Sequence, residues 1–398
     1  MYHRVKKIYE LESLTGFLIF IASAFSLAIA NSAGSPANWQ IFENFFNIKF
    51  ALNFSWFGIY KNLSLLDWIN DFLMSLFFLL VGLELKEEIH DGELSTLNRA
   101  ILPLFCAIGG ALMPIMIFCF FNFNHPENLR GFAIGSATDI AFAYGVICIF
   151  GKRINKSLKI FLISLAIFDD LLAIIFIAIF YTQNLDFLYL FYGFLTIVFL
   201  LILNIKKVTA LYFYLIAGFI LWVFILKSGI HPSIAGVILA LTIPNAKNTI
   251  AKLIKNIAPM VNFLILPIFA FANCAIDLNY FSSEILIAPL FLGIFLALFL
   301  GKQFGVMIVA FFLVYFKITR LPRTLFGSSV NWWQFYGVSV LTGIGFTMSF
   351  FIGNLAFHDQ IKIQQIKIAV GIASISSAIL GMIVIYLTIF FSRKKTNF

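Results

Sequence analysis

Two adjacent carboxylates, Asp169 and Asp170, stand in the stretch FLISLAIFDDLLAIIFIAIFY, which carries no other charge. Counted from Ser157, the pair lies about 12 residues, or roughly 18 Å, into a helix. Two carboxylates in a low dielectric cannot both stay ionised without a counter-charge, so the pair is expected to hold a proton or a hard cation. Proton and cation then compete for the same oxygens, which is the minimum chemistry for exchange. Adjacent residues point about 100° apart round a helix, yet both can flank one small ion from a common cavity. The plainer alternative is two structural acids hydrogen-bonded within a bundle.

Other charges sit in equally apolar surroundings, where ionisable groups are functional candidates by default. Lys302, in LFLGKQFGVMIVAFF, needs a partner, for which Asp169 and Asp170 are the candidates. A salt bridge that a cation can break would couple binding to proton movement, whereas a static one would only stabilise the fold. Asp139 and Thr138 lie in GFAIGSATDIAFA, and a second Gly-rich stretch, LTGIGFTMSFF, holds Gly343, Gly345, Thr347 and Ser349. Glycine costs about 1 kcal/mol against alanine inside a helix. Such clusters mark either an unwound segment or a close helix contact. If the helices break there, Asp139 would offset facing half-helix N-termini and Lys302 facing C-termini. Asp139 then either touches the cation or supports the site electrostatically. Asp71, in WINDFLM, lines an entrance or caps its helix.

The elements that must position these groups are membrane helices. Of the 398 residues, 62% are hydrophobic and only 11% charged, against about 25% charged in a soluble domain. Uncharged stretches recur, among them 100–126, 187–205, 208–226, 324–358 and 368–392, and about 20 apolar residues suffice to span. They are apolar all round, so they read as helices rather than barrel strands. The expected fold is all-α and polytopic, one transmembrane domain over 1–398 with about twelve helices. Helices three to five, near 100–182, and ten to twelve, near 287–391, each contain an interrupted helix in the middle. Inverted-repeat transporters place broken helices at matching positions and bind ions where they cross at the midplane. Residues 45–56 alternate loosely and suggest a hairpin on the outer surface.

The net charge of +9 does not indicate nucleic acid. With the N-terminus in the cytoplasm, most of the 27 Lys and Arg fall on the cytoplasmic side, and Lys49, Lys61, Arg130, Lys227, Lys362 and Lys367 fall outside. The positive-inside rule then places both termini in the cytoplasm. Cys106, Cys119, Cys148 and Cys274 show neither metal-ligand nor disulfide spacing and read as packing residues. No cleavable signal peptide is expected, because the first apolar run, near 13–30, is long enough to span.

Taken together, WINDFLMSLFFLLVGLELKEE (68–88), GFAIGSATDIAFA (131–143), AIFDDLLAIIFIAIFYT (166–182), LKSGIHPSIAGV (226–237), GKQFG (301–305) and LTGIGFTMSFFI (341–352) resemble the NhaA family of bacterial Na+/H+ antiporters. The resemblance runs from the second helix to the last. It implies an electrogenic, pH-regulated exchanger in the bacterial inner membrane that exports one Na+ or Li+ for two inward protons and serves sodium and pH homeostasis. It implies a cation site at Asp169 and Asp170, aided near Thr138 and Asp139, with Lys302 as the charge partner. It further implies a homodimer through an outer hairpin near 45–60, and a pH response involving Glu84, Glu88 and His231. The chain departs from the family with Lys252, Ile254 and Lys255 where acidic or His residues link to pH response, and with Glu87 where a basic residue is common; both put the pH profile in question. His231 can equally be a loop histidine with no sensing role.

No enzymatic activity and no cofactor are expected; the partners are Na+, Li+, H+ and the lipid bilayer. The competing reading is a Na+-coupled symporter of an organic anion with the same broken-helix architecture, which the paired acids disfavour. A channel would more naturally show rings of charges or carbonyls.

Overall fold

The computed structural model describes residues 2–396 apart from 33–35, 55–58, 93–94, 183, 246–248, 279–281 and 323–329. In chain order the main elements are α1 Tyr2–Ala30, α2 Pro36–Phe46, the antiparallel strands β1 Lys49–Phe54 and β2 Ile59–Ser64, and α3 Leu65–His90. Then come α4 Leu97–Phe121, a 3-10 segment Pro126–Ala133, α5 Ile140–Cys148, α6 Lys156–Phe180, α7 Phe187–Ile205, α8 Leu211–Ser228 and α9 Ile234–Thr242. The chain continues through α10 Thr249–Asn273, α11 Pro289–Tyr315, α12 Trp332–Leu341, α13 Phe346–Ala356 and α14 Gln360–Thr396.

Among the described residues, eight helices are long and apolar enough to cross a bilayer, or nine when α12 and α13, bent by 42°, are one span. Two stretches that the sequence suggests as helices are cut short. Residues 127–150 wind as a 3-10 segment, unwind, and resume as α5. The stretch near 230–243 yields only the nine-residue α9. There Gly229, at φ 89°, ends α8 in the left-handed conformation, and Pro232 and Pro244 bracket α9. Outward faces stay apolar: α7 buries only 11% of its apolar window, and Phe187 is 77% exposed. A surface so uniformly hydrophobic meets lipid, where the helix satisfies its own backbone.

The chain forms two compact units. One comprises Met1–Phe20, Glu93–Ala173 and Ile276–Phe398; the other Ile21–Gly92 and Ile174–Ala275. In the first, α4 and α11 approach until their backbones touch, since a Cβ on Gly305 would collide with the Gly109 carbonyl. Gly110 leaves the room that the Lys302 side chain fills, its Cδ being 3.7 Å from where a Cβ would stand. A π-helical turn, Ala297–Gly301, immediately precedes Lys302. In the second unit, Gly236 of α9 lies against the Ser75 carbonyl of α3. The end of α9 is capped by side chains: Lys86 Nζ donates to the Leu241 and Ile243 carbonyls at 2.7 and 2.6 Å, and Asn204 to Thr242 O at 2.6 Å. The strands pair in register from Lys49 opposite Ser64 to Phe54 opposite Ile59, in the same unit.

Candidate cation and proton site

The site is built where two broken helices of the first unit meet. The first break spans the turn and extended residues 134–139, between the 3-10 segment and α5; the second spans 342–345, between α12 and α13. Broken helices leave backbone groups without intrahelical partners, and here each break supplies the other. Asp139 N donates to Ile344 O at 2.7 Å, Ser349 Oγ to Ile134 O at 2.7 Å, and Thr138 Oγ1 to Thr342 O at 2.8 Å.

Asp139 caps two helices at once. Its Oδ1 accepts from Phe142 N at 3.0 Å in α5, and its Oδ2 accepts from Thr347 N at 3.0 Å and Thr347 Oγ1 at 2.5 Å in α13. Both half-helix N-termini carry partial positive charge, and one buried carboxylate answers both.

α6 brings Asp169 and Asp170 to the same place. Lys302 and Asp169 are each 0% exposed, and Lys302 Nζ lies 2.5 Å from Asp169 Oδ2. The same oxygen accepts from Thr138 Oγ1 at 2.6 Å. Asp169 Oδ1 is buried and makes no hydrogen bond among the described residues. Asp170, 1% exposed, acts electrostatically on Lys302 as well. The Thr138 hydroxyl has one hydrogen, and Asp169 Oδ2 and Thr342 O share it. Carboxylate, hydroxyl and carbonyl oxygens of this kind suit a hard monovalent cation, and an ammonium occupies the place that such a cation would contest.

The structure therefore gathers Thr138, Asp139, Asp169, Asp170 and Lys302, and settles the ammonium on Asp169. Asp71 and His231 form a pair in the second unit: His231 Nε2 is 3.4 Å from Asp71 Oδ1, and His231 Nδ1 meets Ser233 Oγ at 2.7 Å. Glu84 and Glu88 lie on α3, a turn apart and beside Lys86. Sequence reasoning passed over Thr347 as a partner of Asp139; a Thr just after a Gly-rich break was the available signal. It also passed over Gln303, which donates to Phe299 O and accepts from Tyr336 Oη at 2.7 Å, tying α11 to α12 beside Lys302. A polar residue following an intramembrane lysine is a faint signal for that.

The sequence model of the family described as Na+/H+ antiporter 1 matches residues 6–385. A Na(+)/H(+) antiporter NhaA of Pelagibacter ubique is 42% identical over 396 residues, covering 98% of this chain and 98% of its own length. A Na(+)/H(+) antiporter NhaA 2 of Campylobacter jejuni is 42% identical over 384 residues, with 95% and 98% covered. The Na(+)/H(+) antiporter NhaA of Psychrobacter cryohalolentis is 41% identical over 393 residues, with 97% and 96% covered.

Proposed function

The chain belongs to the Na+/H+ antiporter 1 family, and on that premise we propose that it exchanges Na+ or Li+ for protons at Asp169 and Asp170. The observation that carries this is the sealed contact of Lys302 Nζ with Asp169 Oδ2 at 2.5 Å, shared with the Thr138 hydroxyl. With no cation bound, Lys302 neutralises Asp169. An arriving Na+ or Li+ takes carboxylate oxygens of Asp169 and Asp170, with Thr138 Oγ1 turning its lone pairs inward. Lys302 then loses its counter-charge. A sealed, unpaired ammonium is costly, so a proton leaves as the cation binds. A second proton comes from Asp170, giving two protons inward for one Na+ outward. Asp139 holds the two half-helix N-termini in place through its bonds to Phe142 N and Thr347 N. Nothing in the family or in the relatives' names supports an organic-anion symporter.

The wider reading follows from the same premise. The broken helices belong to inverted repeats, α4–α6 and α11–α14. The excess of Lys and Arg at one side orients both termini to the cytoplasm of a bacterial inner membrane. The β1–β2 hairpin serves a homodimer contact, and Asp71 lines an entrance. His231, Glu84 and Glu88 contribute to the pH response.

Everted vesicles carrying the protein test the exchange directly. Na+ or Li+ is expected to collapse a respiration-generated ΔpH, and Asp169→Asn and Asp170→Asn are each expected to abolish that response while inserting normally. Retained Na+-driven proton movement in both variants would refute the site; no response from folded protein between about pH 6.5 and 9 would refute the exchange.

A further inference from the structure

Lys302 reaches Asp169 from a helix that is not regular. The π-helical turn Ala297–Gly301 ends with Lys302 N donating to Ala297 O. Single π-turns are rare and recur at functional sites. Packing on α4 gives this one a reason. Gly293, Gly301 and Gly305 of α11 all lie against α4. A Cβ on Gly293 would strike Asn122 Nδ2 and Phe118, one on Gly301 would stand 2.8 Å from Pro114 Cα, and one on Gly305 would meet the Gly109 carbonyl. Along an uninterrupted α-helix Gly293 and Gly305 would face about 120° apart. The π-turn takes up one extra residue, about 100° of rotation, and so returns them to one stripe.

The same turn aims Lys302. Rewound as α-helix, it would swing Lys302 about 100° round α11 relative to the half that Gly293 anchors, away from the Asp169 Oδ2 that its Nζ now meets. Gln303 clamps the turn. Its side chain is buried; Nε2 donates to Phe299 O inside the turn, and Oε1 accepts from Tyr336 Oη at 2.7 Å. A buried amide satisfied at both ends is held in one orientation. Tyr336 belongs to α12, the half-helix that runs into the second break, where Thr342 O takes the Thr138 hydroxyl. One side chain therefore links that half-helix to the turn that carries the ammonium.

We propose that Gln303 and Tyr336 are positioning residues for cation exchange: they clamp the Ala297–Gly301 turn so that the Lys302 ammonium stands on Asp169. This rests on the exchange at Asp169 and Asp170 given above, in which the clamp sets how strongly Lys302 opposes an incoming Na+.

Na+ titrations of everted vesicles read the clamp. Gln303→Met removes the amide at similar volume, and Tyr336→Phe removes only the hydroxyl. A loosened ammonium competes less well, so half-saturating Na+ is expected to fall about two- to tenfold in Gln303→Met, the scale of one neutral hydrogen bond. Tyr336→Phe is expected to lower it by no more than that, and the double variant to match Gln303→Met, because both act through one link. A side chain that only packs would lower thermal stability and leave half-saturation unmoved. That result in both variants, or a rise in half-saturating Na+, would overturn the proposal. A second readout needs no transport. The coupling between Lys302→Met and Asp169→Asn, measured by unfolding, is expected to be smaller in the Gln303→Met protein than in the native one; an undiminished coupling would overturn the positioning role. Should the native protein move no protons in response to Na+, the exchange reading falls, and the coupling alone decides whether Gln303 places the ammonium.

Discussion

Removing Lys302 should cost stability that removing Asp169 as well gives back. Lys302 Nζ and Asp169 Oδ2 are 2.5 Å apart and neither side chain is exposed. Deleting one partner of a buried ion pair typically costs about 3–5 kcal/mol, because the other charge is left uncompensated. In Lys302→Met the Thr138 hydroxyl still donates to Asp169 Oδ2 at 2.6 Å, and a hydrogen bond to a charged group contributes about 1.5–3 kcal/mol. The loss should therefore fall at the lower end, about 3 kcal/mol. In Asp169→Asn the ammonium keeps an amide oxygen and the nearby Asp170, so about 2–3 kcal/mol is expected. The double variant removes both members of the pair at nearly the same volume, with Asp170 able to hold a proton in place of the lost ammonium, and should lie within about 1 kcal/mol of the native protein. The coupling is then at least about 4 kcal/mol, well beyond the few tenths seen between independent sites. Reversible unfolding in mixed micelles titrated with a denaturing detergent measures all four corners of the cycle. Strict additivity would show that the two side chains do not sense each other, and the account of how the cation displaces a proton would go with it.

Other expectations follow from the same geometry. Thr138→Val keeps the shape but removes the hydroxyl shared by Asp169 Oδ2 and Thr342 O, and should raise the apparent KM for Na+ about tenfold while Thr138→Ser stays near native; equal values for both would exclude the hydroxyl from the site. Thr347→Val deletes one of the hydrogen bonds to Asp139 Oδ2 and should destabilise by about 1–3 kcal/mol, with slower exchange; unchanged unfolding would show that Asp139 does not need it. Lys86→Met uncaps the Leu241 and Ile243 carbonyls and should lower stability by about 1–3 kcal/mol while leaving the affinity for Na+ intact; a changed KM at native stability would give Lys86 a different role.

Lone charges announce themselves in an apolar chain, so Asp169, Asp170, Lys302 and Asp139 were readable from their neighbours alone. Gly131, Gly135, Gly343 and Gly345 likewise betrayed the interruptions, since clustered glycine and hydroxyl residues weaken a helix locally. The partner of Lys302 narrowed to Asp169 or Asp170, but which of the two it meets, and that Thr347 serves Asp139, was not readable. Lys302 and Asp169 are 133 residues apart, and Thr347 and Asp139 208 apart, and nothing local encodes such pairing. The shortness of α9 was partly legible, since the apolar run near 230–243 is itself too short for a straight span; where inside it the helix begins was not. The capping by Lys86 and Asn204 was invisible for a related reason. A lysine at a helix end reads as a solvated charge until the carbonyls it serves are in view.

The bonds exchanged across the two breaks bear on how the site reaches opposite faces of the bilayer. Asp139 N with Ile344 O, Ser349 with Ile134 O, and the shared cap on α5 and α13 lace the crossover into one knot. Sliding one broken helix past the other would strip several buried backbone and side-chain groups of their partners at once. Under the proposed exchange, the crossover moves as one knot with its carboxylates aboard, and the flexing falls to the connections that lead into it.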